Sequence, residues 1–217
     1  MNTFKRNKTN DNMECFGITD ELELTSAVLG SSDNFSDNKD RIYYLTEYVY
    51  AETVQGIIKA IHSINKNDDY QSKIYALDGH VYNRKPITIY VNSYGGSVYD
   101  GLALIGAMET STTPIITVAN GKVMSMGVII ALAGHIRKAT PYTTYMIHSV
   151  SSFTWGQVKQ MEEDVKEAKR LNNVLFDFIL SNSAISKKKL TKIYKSKQDY
   201  FFDAKTAKQY DMIEEIV

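Results

Sequence analysis

Apolar residues follow two different periods along the chain from Arg41 onward. Short segments rich in β-branched and aromatic residues predict strands, and segments with apolar residues every three or four positions predict helices. The predicted strands are RIYYL, ITIYVN, PIITVANG, TTYMIHS and IEEIV. The predicted helices are AETVQGIIKAIHSI, VYDGLALIGAMET, MGVIIALAG, residues 156–181 and DAKTAKQYD. Because strands alternate with helices, we expect an α/β fold with largely parallel pairing and right-handed crossovers.

Two segments of this pattern are unusual. The helix predicted from Gly156 to Ser181 is long and carries an apolar stripe at helical spacing, so we expect part of it to project and pack against another subunit. The segment KIYALDGHVY contains Asp78-Gly79, a pair typical of a two-residue turn. It therefore predicts a small hairpin over residues 74–82.

Residues 1–40 differ from the rest of the chain. They are mostly polar and end in GSSDNFSDNKD, so we expect an N-terminal arm, either mobile or removed as a propeptide, rather than a domain. The basic residues of this arm are not followed by an apolar segment, which argues against a secretory signal. Residues 41–217 show no repeat and no linker and suit one folded domain.

Composition and charge narrow the function classes. The chain has 25 basic and 25 acidic residues, which gives no electrostatic argument for binding nucleic acid or an anionic membrane. Its one cysteine, Cys15, cannot form an internal disulfide, which fits a reducing cytoplasm. No apolar segment is long enough to span a bilayer. Abundant Lys, Asn, Ile and Tyr with three prolines are compatible with an AT-rich source such as a phage.

Two predicted strand-to-helix turns carry the residues with the clearest chemical potential. After ITIYVN, Gly95 and Gly96 allow the backbone to approach a ligand closely, and amides at a helix start favour an anion. Ser125 lies between the next strand and MGVIIALAG, beside the amide of Met126, which could bond an oxyanion. The alternative for Ser125 is a buried hydroxyl that only caps the following helix.

Two further polar residues complete a set of catalytic groups. His148 ends the apolar strand TTYMIHS, and Asp199 directly precedes a Tyr-Phe-Phe run. A buried aspartate needs a partner, which His148 would supply. The structural alternatives are a core histidine and a turn or cap aspartate, and for Asp203 a helix cap is the expected role. Together with the two turns, these residues supply the nucleophile, base, carboxylate and backbone donors of a serine hydrolase.

Four segments resemble the proteolytic subunit of the Clp protease, the S14 serine peptidases. ITIYVNSYGGSVYDGLALIGAM is similar to the family's strand, NSPGG turn and helix, and GKVMSMGVIIALAG to its nucleophile segment. YMIHSV resembles the histidine segment MIHQP, and DYFFDAKTAKQYDMIEEI resembles the aspartate segment. The resemblance covers residues 41–217. It implies the Clp protease/crotonase-like superfold of stacked β-β-α units with a long handle helix, in a divergent and conceivably phage-encoded member.

Carried over by position, the resemblance assigns a role to each candidate residue. Ser125 would be the nucleophile, His148 the general base and Asp199 its orienting acid. The amides of Gly96 and Met126 would form the oxyanion hole. The implied activity is that of a serine endopeptidase that cuts unfolded proteins through a Ser-His-Asp triad.

The resemblance also implies an assembly in the cytoplasm. The long helix, preceded by Gly156-Gln157, would interlock two seven-membered rings around a closed chamber. The substrate backbone would add as a strand along Gly95, Ser97 and Val98. Tyr90 matches an aromatic position in the clefts where the family's AAA+ unfoldase docks. The chain itself would use no cofactor and no metal, since ATP would belong to the partner.

The chain departs from the family pattern at several positions. Tyr94 replaces the usual proline after NS, and Val123-Met124 replace the usual alanines before the serine. Ser149-Val150 follow the histidine without the usual proline. Lys197-Gln198 stand where an acidic-Arg pair commonly links the rings. These changes bear on ring number and partner more than on the chemistry.

Three other functions stay open on the sequence alone. They are a phage capsid-maturation protease of the same fold, a crotonase-like acyl-CoA enzyme and a non-catalytic ring subunit. A crotonase-like enzyme shares the paired-amide oxyanion hole but does not need a Ser-His-Asp set. A non-catalytic relative would lack a triad residue, and none is missing from this sequence.

Overall fold

The structure, a computed structural model, describes residues 41–150, 157–196 and 198–217. The strands in these ranges are β1 (Ile42–Leu45), β2 (Ile87–Ser93), β3 (Ile115–Met124), β4 (Ile136–Ala139), β5 (Thr144–Ile147), β6 (Tyr200–Asp203) and β7 (Glu215–Ile216). The helices are α1 (Ala51–Leu77), α2 (Val98–Glu109), α3 (Met126–Leu132), α4 (Val158–Ser181), α5 (Lys187–Ser196) and α6 (Ala204–Gln209). None of these helices combines the length and the apolar character needed to cross a bilayer. The predictions for residues 1–40, Gly156 and Lys197 lie outside the described residues.

The described strands form one sheet around the long strand β3. Five strands follow the order β1-β2-β3-β4-β7 and pair in parallel. The C-terminal part of β3 pairs in parallel with β5 instead of β4. Among the described strands, β5 and β6 alone pair antiparallel. The prediction of an α/β fold with largely parallel pairing is confirmed.

The centre of the core lies where β2 and β3 meet α3. Side chains of β2 alternate between buried and half-buried, whereas all seven residues of α3 are buried. A helix without charged residues can be covered on every side, and MGVIIAL has none. The packing around α3 therefore fixes the backbone just before it, where Ser125 lies.

The hairpin predicted over residues 74–82 is wrong. Helix α1 continues to Leu77, where the amides of Asp78 and Gly79 donate to the carbonyls of Tyr75 and Ala76. Gly79 has a φ of 72°, the left-handed conformation in which glycine commonly ends a helix. The polar run NKNDDYQSK concealed this continuation, because one of its residues, Asp68, is buried by partners distant in sequence.

Those partners form a buried ion pair that fastens α1 to the start of β1. The carboxylate of Asp68 accepts hydrogen bonds from both terminal nitrogens of Arg41 at 2.7 Å. It also accepts from the hydroxyls of Thr113 at 2.7 Å and Tyr82 at 3.1 Å. Burial alone would raise the pKa of Asp68, but these donors, above all Arg41, hold it below its ordinary value.

Three elements lie where sequence analysis named none: β4, α5 and β6. Helix α5 is short and lysine-rich, and it buries Leu190 and Ile193 against the core. Asp203 ends β6 and accepts a hydrogen bond from the amide of Thr206 at 2.9 Å, which confirms its predicted role as the cap of α6. These elements bring the C-terminal part of the chain back to the edge of β5.

Candidate active site

Ser125 occupies a strained turn between the end of β3 and the start of α3. Its backbone has a φ of 52° and a ψ of −122°. Residues other than glycine rarely adopt such a conformation, which costs about 1–3 kcal/mol and is concentrated at functional sites. The amide of Ser125 donates to the carbonyl of Met146 at 2.8 Å, and its carbonyl accepts from the amide of Val128 at 3.0 Å. Ser125 stands at the N-cap position of α3, but its hydroxyl makes no capping bond to the helix, so the alternative in which the hydroxyl only caps α3 is wrong.

His148 lies directly beside this hydroxyl. Its Nε2 atom is 2.7 Å from the Oγ atom of Ser125. The reason is the register of β3 and β5, which pair in parallel with Met124 opposite Met146, so that both strands end at the same edge. The distance fits a serine hydroxyl that donates to a neutral imidazole, as general-base catalysis requires.

Asp199 lies next to the end of β6 that pairs with β5, and it makes no hydrogen bond to His148. Strand β6 pairs antiparallel with β5, with Ile147 opposite Tyr200, so the same register continued by one residue places Asp199 opposite His148. Asp199 is exposed, and within the described residues no hydrogen bond joins its carboxylate to the imidazole. The structure thus brings the serine and the histidine together, while the role of Asp199 stays a prediction.

The turn that follows β2 packs against the serine. A Cβ atom added to Gly95 would lie 2.8 Å from the Cβ atom of Ser125, and Gly95 has a φ of 94°. Gly96 has a φ of 148° and bridges Val49, whose carbonyl oxygen would clash with any Cβ atom at this position. Both positions therefore require glycine, for close approach as well as for backbone conformation.

The backbone amides of Gly96 and Met126 both lie beside the serine. The two residues line one cavity together with Ser125 and His148. Within the described part of the chain, neither amide donates to a protein acceptor, since Val49 bonds the carbonyl of Gly95 and the amide of Ser97. Two free amides next to a serine hydroxyl are an arrangement that stabilises an oxyanion. No group of His, Cys, Asp and Glu among the same residues is placed to hold a metal ion.

The cavity beside Ser125 has a volume of about 70 Å³ and mostly apolar walls. These walls include Val98, Ile129, Ile147, Leu175, Ile179 and Tyr194. Burial of Tyr194 raises the pKa of its hydroxyl. The contributions of α4 and α5 to this cavity could not be predicted from the sequence, because the apolar stripe of a helix marks which side chains are buried but not what they face.

The remaining residues predicted to bind substrate or a partner are Ser97, Val98 and Tyr90. Ser97 caps α2 by accepting from the amide of Asp100 at 3.3 Å, and Val98 lines the cavity. The hydroxyl of Tyr99 donates to Glu167 at 2.7 Å and so ties the start of α2 to α4. Arg170, with Tyr99, lowers the pKa of Glu167 to about 2.

Tyr90 stacks on Tyr44 with ring centroids 5.2 Å apart, and its docking role stays a prediction.

Comparison with known proteins places these features in a family. A family model described as Clp protease matches residues 37–217. The ATP-dependent Clp protease proteolytic subunit of Bacteroides fragilis is 34% identical over 158 residues, which are 69% of this chain and 74% of the relative. The subunit of the same name from Streptococcus mutans is 32% identical over 206 residues, 90% of this chain and 94% of the relative. That of Deinococcus radiodurans is 27% identical over 181 residues, 82% and 81%.

Proposed function

The chain belongs to the Clp protease family, whose members are serine-type peptidases, and we propose that Ser125 is the nucleophile with which it hydrolyses peptide bonds. One observation carries the proposal: the Oγ atom of Ser125 lies 2.7 Å from Nε2 of His148. The strained turn that exposes this hydroxyl has no explanation in helix capping.

The geometry supports a two-step acyl transfer. His148 accepts the hydroxyl proton through Nε2 while Oγ of Ser125 attacks the peptide carbonyl. The amides of Gly96 and Met126 donate to the oxyanion. His148 then protonates the leaving amine, and the acyl-enzyme forms. A water molecule then gives a proton to His148 and attacks the ester carbonyl. His148 returns that proton to Oγ as the ester bond breaks, which restores the serine and releases the acid.

Asp199 would complete the mechanism by accepting the Nδ1–H of His148. The register of β5 and β6 supports this role, because Ile147 pairs with Tyr200 and the same register continued by one residue would bring Asp199 opposite His148. The exposed side chain of Asp199 would have to turn toward the imidazole. Its carboxylate would then hold the tautomer in which Nε2 is free to accept the serine proton.

The cavity and the turn at Gly96 indicate how a substrate lies. Val49 occupies one side of the Gly95–Val98 segment, so a peptide would add as a strand on the other side. The apolar cavity beside Ser125 would take the side chain just before the scissile bond. We therefore expect cleavage after apolar residues of an unfolded polypeptide.

The assembly is part of the proposal. Clp proteases are oligomeric and pair with Clp unfoldases. We propose two seven-membered rings around a closed chamber in the cytoplasm, with ATP used by the unfoldase and no cofactor bound by this chain. Mass photometry, with and without a Clp unfoldase, would show a different ring number or no complex if this proposal fails.

The chemistry is tested with Ser125→Ala. We expect the variant to lose labelling by a fluorophosphonate probe and cleavage of casein, because among the described residues Ser125 alone has its hydroxyl in hydrogen-bond contact with the His148 imidazole. Ser63→Ala, at an exposed position of α1, is the matched control and should keep both. Labelling of the Ser125→Ala protein at the wild-type level would contradict the assignment.

A further inference from the structure

A pair of exposed aromatic rings lies next to the glycine turn that packs on Ser125, and it has no part in the proposed chemistry. Tyr48 and Tyr94 are stacked with ring centroids 5.7 Å apart and an angle of 27° between the planes. They are 56% and 52% exposed. The ammonium of Lys122 lies over the ring of Tyr94, 4.7 Å from its centroid. A cation and two apolar faces are thus presented together to the solvent.

Asn92 holds the lysine in place. Its Oδ1 atom accepts a hydrogen bond from the Lys122 ammonium at 3.2 Å and one from the Lys122 backbone amide at 3.3 Å. Asn92 lies on β2 and Lys122 on the neighbouring strand β3, so these hydrogen bonds hold the Lys122 ammonium in place. Lys122 is three positions before Ser125 in the chain. The ammonium makes no ion pair with any carboxylate of the described residues, although Glu47 precedes Tyr48 in the chain. The cation is oriented but its charge is not neutralised.

The position of the tyrosines relative to Gly96 decides which part of a substrate they would meet. The apolar cavity includes Val98, on the C-terminal side of Gly96. Tyr94 lies on the N-terminal side, next to Gly95, which packs on Ser125. A peptide strand that runs along this segment and places its scissile carbonyl at the Gly96 amide would have the cavity on one side and the tyrosines on the other. The cavity side holds the acyl part, so the tyrosines face the leaving amine part.

We propose that Tyr48, Tyr94 and Lys122 form a specificity subsite for an acidic side chain that follows the scissile bond by one to three residues. This inference rests on the proposed peptidase function. Lys122 pairs with the substrate carboxylate, and the tyrosine faces cover the aliphatic stem of a glutamate. An acidic occupant is favoured over an aromatic one because the charge of the oriented ammonium is otherwise unpaired.

This location predicts a kinetic signature. The leaving amine carries the acidic side chain away when the acyl-enzyme forms. The subsite therefore affects acylation, which is contained in kcat/KM, and has no contact with the substrate during hydrolysis of the ester. An exposed ion pair contributes up to about 1 kcal/mol, which corresponds to a preference of about fivefold.

The test uses internally quenched peptides that differ only in the second residue after the scissile bond: Glu, Gln or Lys. For the wild-type protein we expect kcat/KM to be highest with Glu, by about fivefold over Gln, and this ratio to fall as salt screens the pair. Lys122→Gln should bring the ratio to about one, and Lys122→Glu should reverse it in favour of the Lys peptide. Lys59→Gln, at an exposed position of α1, is the control for loss of one positive charge and should keep the wild-type ratio.

A ratio measured within each variant is independent of how much of the protein is active. Equal cleavage of the three peptides by the wild-type protein, or a Glu preference that survives in Lys122→Glu, would overturn the subsite. Cleavage that persists in Ser125→Ala would instead overturn the proposed function. A ratio that does not change with salt would exclude the ion pair as its cause.

Discussion

The protein holds the two ends of the candidate triad, the nucleophile Ser125 and the acid Asp199, with different rigidity. On the nucleophile side, Ser125 is held by backbone hydrogen bonds to β5 and α3, and Gly95 packs directly on it. On the acid side, Asp199 is exposed and has no hydrogen bond to His148. The first half is preorganised by the core of one chain, whereas the second depends on a side chain at the margin of the sheet.

The difference follows from where each half lies in the sheet. Ser125 follows β3, a ten-residue strand with neighbours on both sides, and precedes a fully buried helix. Asp199 precedes β6, a four-residue strand that pairs with β5 alone. Interior elements have little freedom to shift, but an exposed side chain at the end of a short strand can change rotamer easily. A site built in this way can hold its nucleophile ready while the acid is free to engage or disengage.

Beyond the loss of activity expected for Ser125→Ala, the largest effect is expected from Asp199→Asn. If the carboxylate engages His148 in the working enzyme, the substitution should lower kcat by a factor on the order of 10⁴, because the imidazole loses its orienting acceptor. Stability should not change, since Asp199 is exposed. Steady-state kinetics on a quenched peptide and a thermal melt check both parts. Asp177→Asn, at an exposed position of α4, is the control, and a fall of less than about tenfold would show that the Ser-His pair works without the acid.

Asp68→Asn should have the next largest effect, and on stability rather than catalysis. Asp68, unlike the exposed Asp199, is buried in an ion pair with Arg41. Removing one partner of a buried ion pair costs about 3–5 kcal/mol of stability. Because the folded-state pKa of Asp68 is lowered, its contribution is present above the ordinary aspartate pKa and is lost as pH falls through the lowered value. Urea unfolding of both proteins should therefore show a difference at neutral pH that shrinks in acid. A constant difference down to the lowest pH would contradict the ionic origin.

Gly96→Ala tests the nucleophile half. The added Cβ atom meets the carbonyl of Val49, so the turn must move and take its amide away from the oxyanion. Loss of one oxyanion donor lowers kcat by about 10²–10³. Gly106→Ala on α2 is the matched control, because a Cβ atom there meets no other atom within 4 Å. The same loss of kcat in both variants would argue against an oxyanion role for Gly96.

Tyr145→Phe should have the smallest effect. Tyr145 lies on β5 and stacks on Phe202 of β6, and its buried hydroxyl has no hydrogen-bond partner. Removing an unpaired polar group should raise the free energy of unfolding by about 1 kcal/mol. Calorimetry would measure the change, with Tyr142→Phe as a control because Tyr142 is 92% exposed. A destabilised Tyr145→Phe protein would mean that the hydroxyl has a partner, such as a buried water.

Much of this site could be predicted from local signals. Ser125 and His148 each end a predicted parallel strand, and parallel strands bring their carboxyl ends to one edge. Gly95 and Gly96 were visible as a turn that permits close approach. The cavity could not be predicted from the sequence, because Leu175, Ile179 and Tyr194 reach it from helices far along the chain. The hairpin prediction failed for the same reason, since the burial of Asp68 depends on Arg41 and Thr113.

The amino-acid sequence by itself determined the alternation of strands and helices from β1 to α3 and the chemical groups at their ends, because periodicity and turn chemistry act over a few residues. Only the tertiary structure decided the distance from Ser125 to His148, the apolar cavity beside them and the separation of Asp199 from the imidazole. It also decided that Lys122 lies over the ring of Tyr94 and has no carboxylate partner among the described residues. These features depend on strand register and helix packing, which join residues far apart in the chain and leave no local periodic signal.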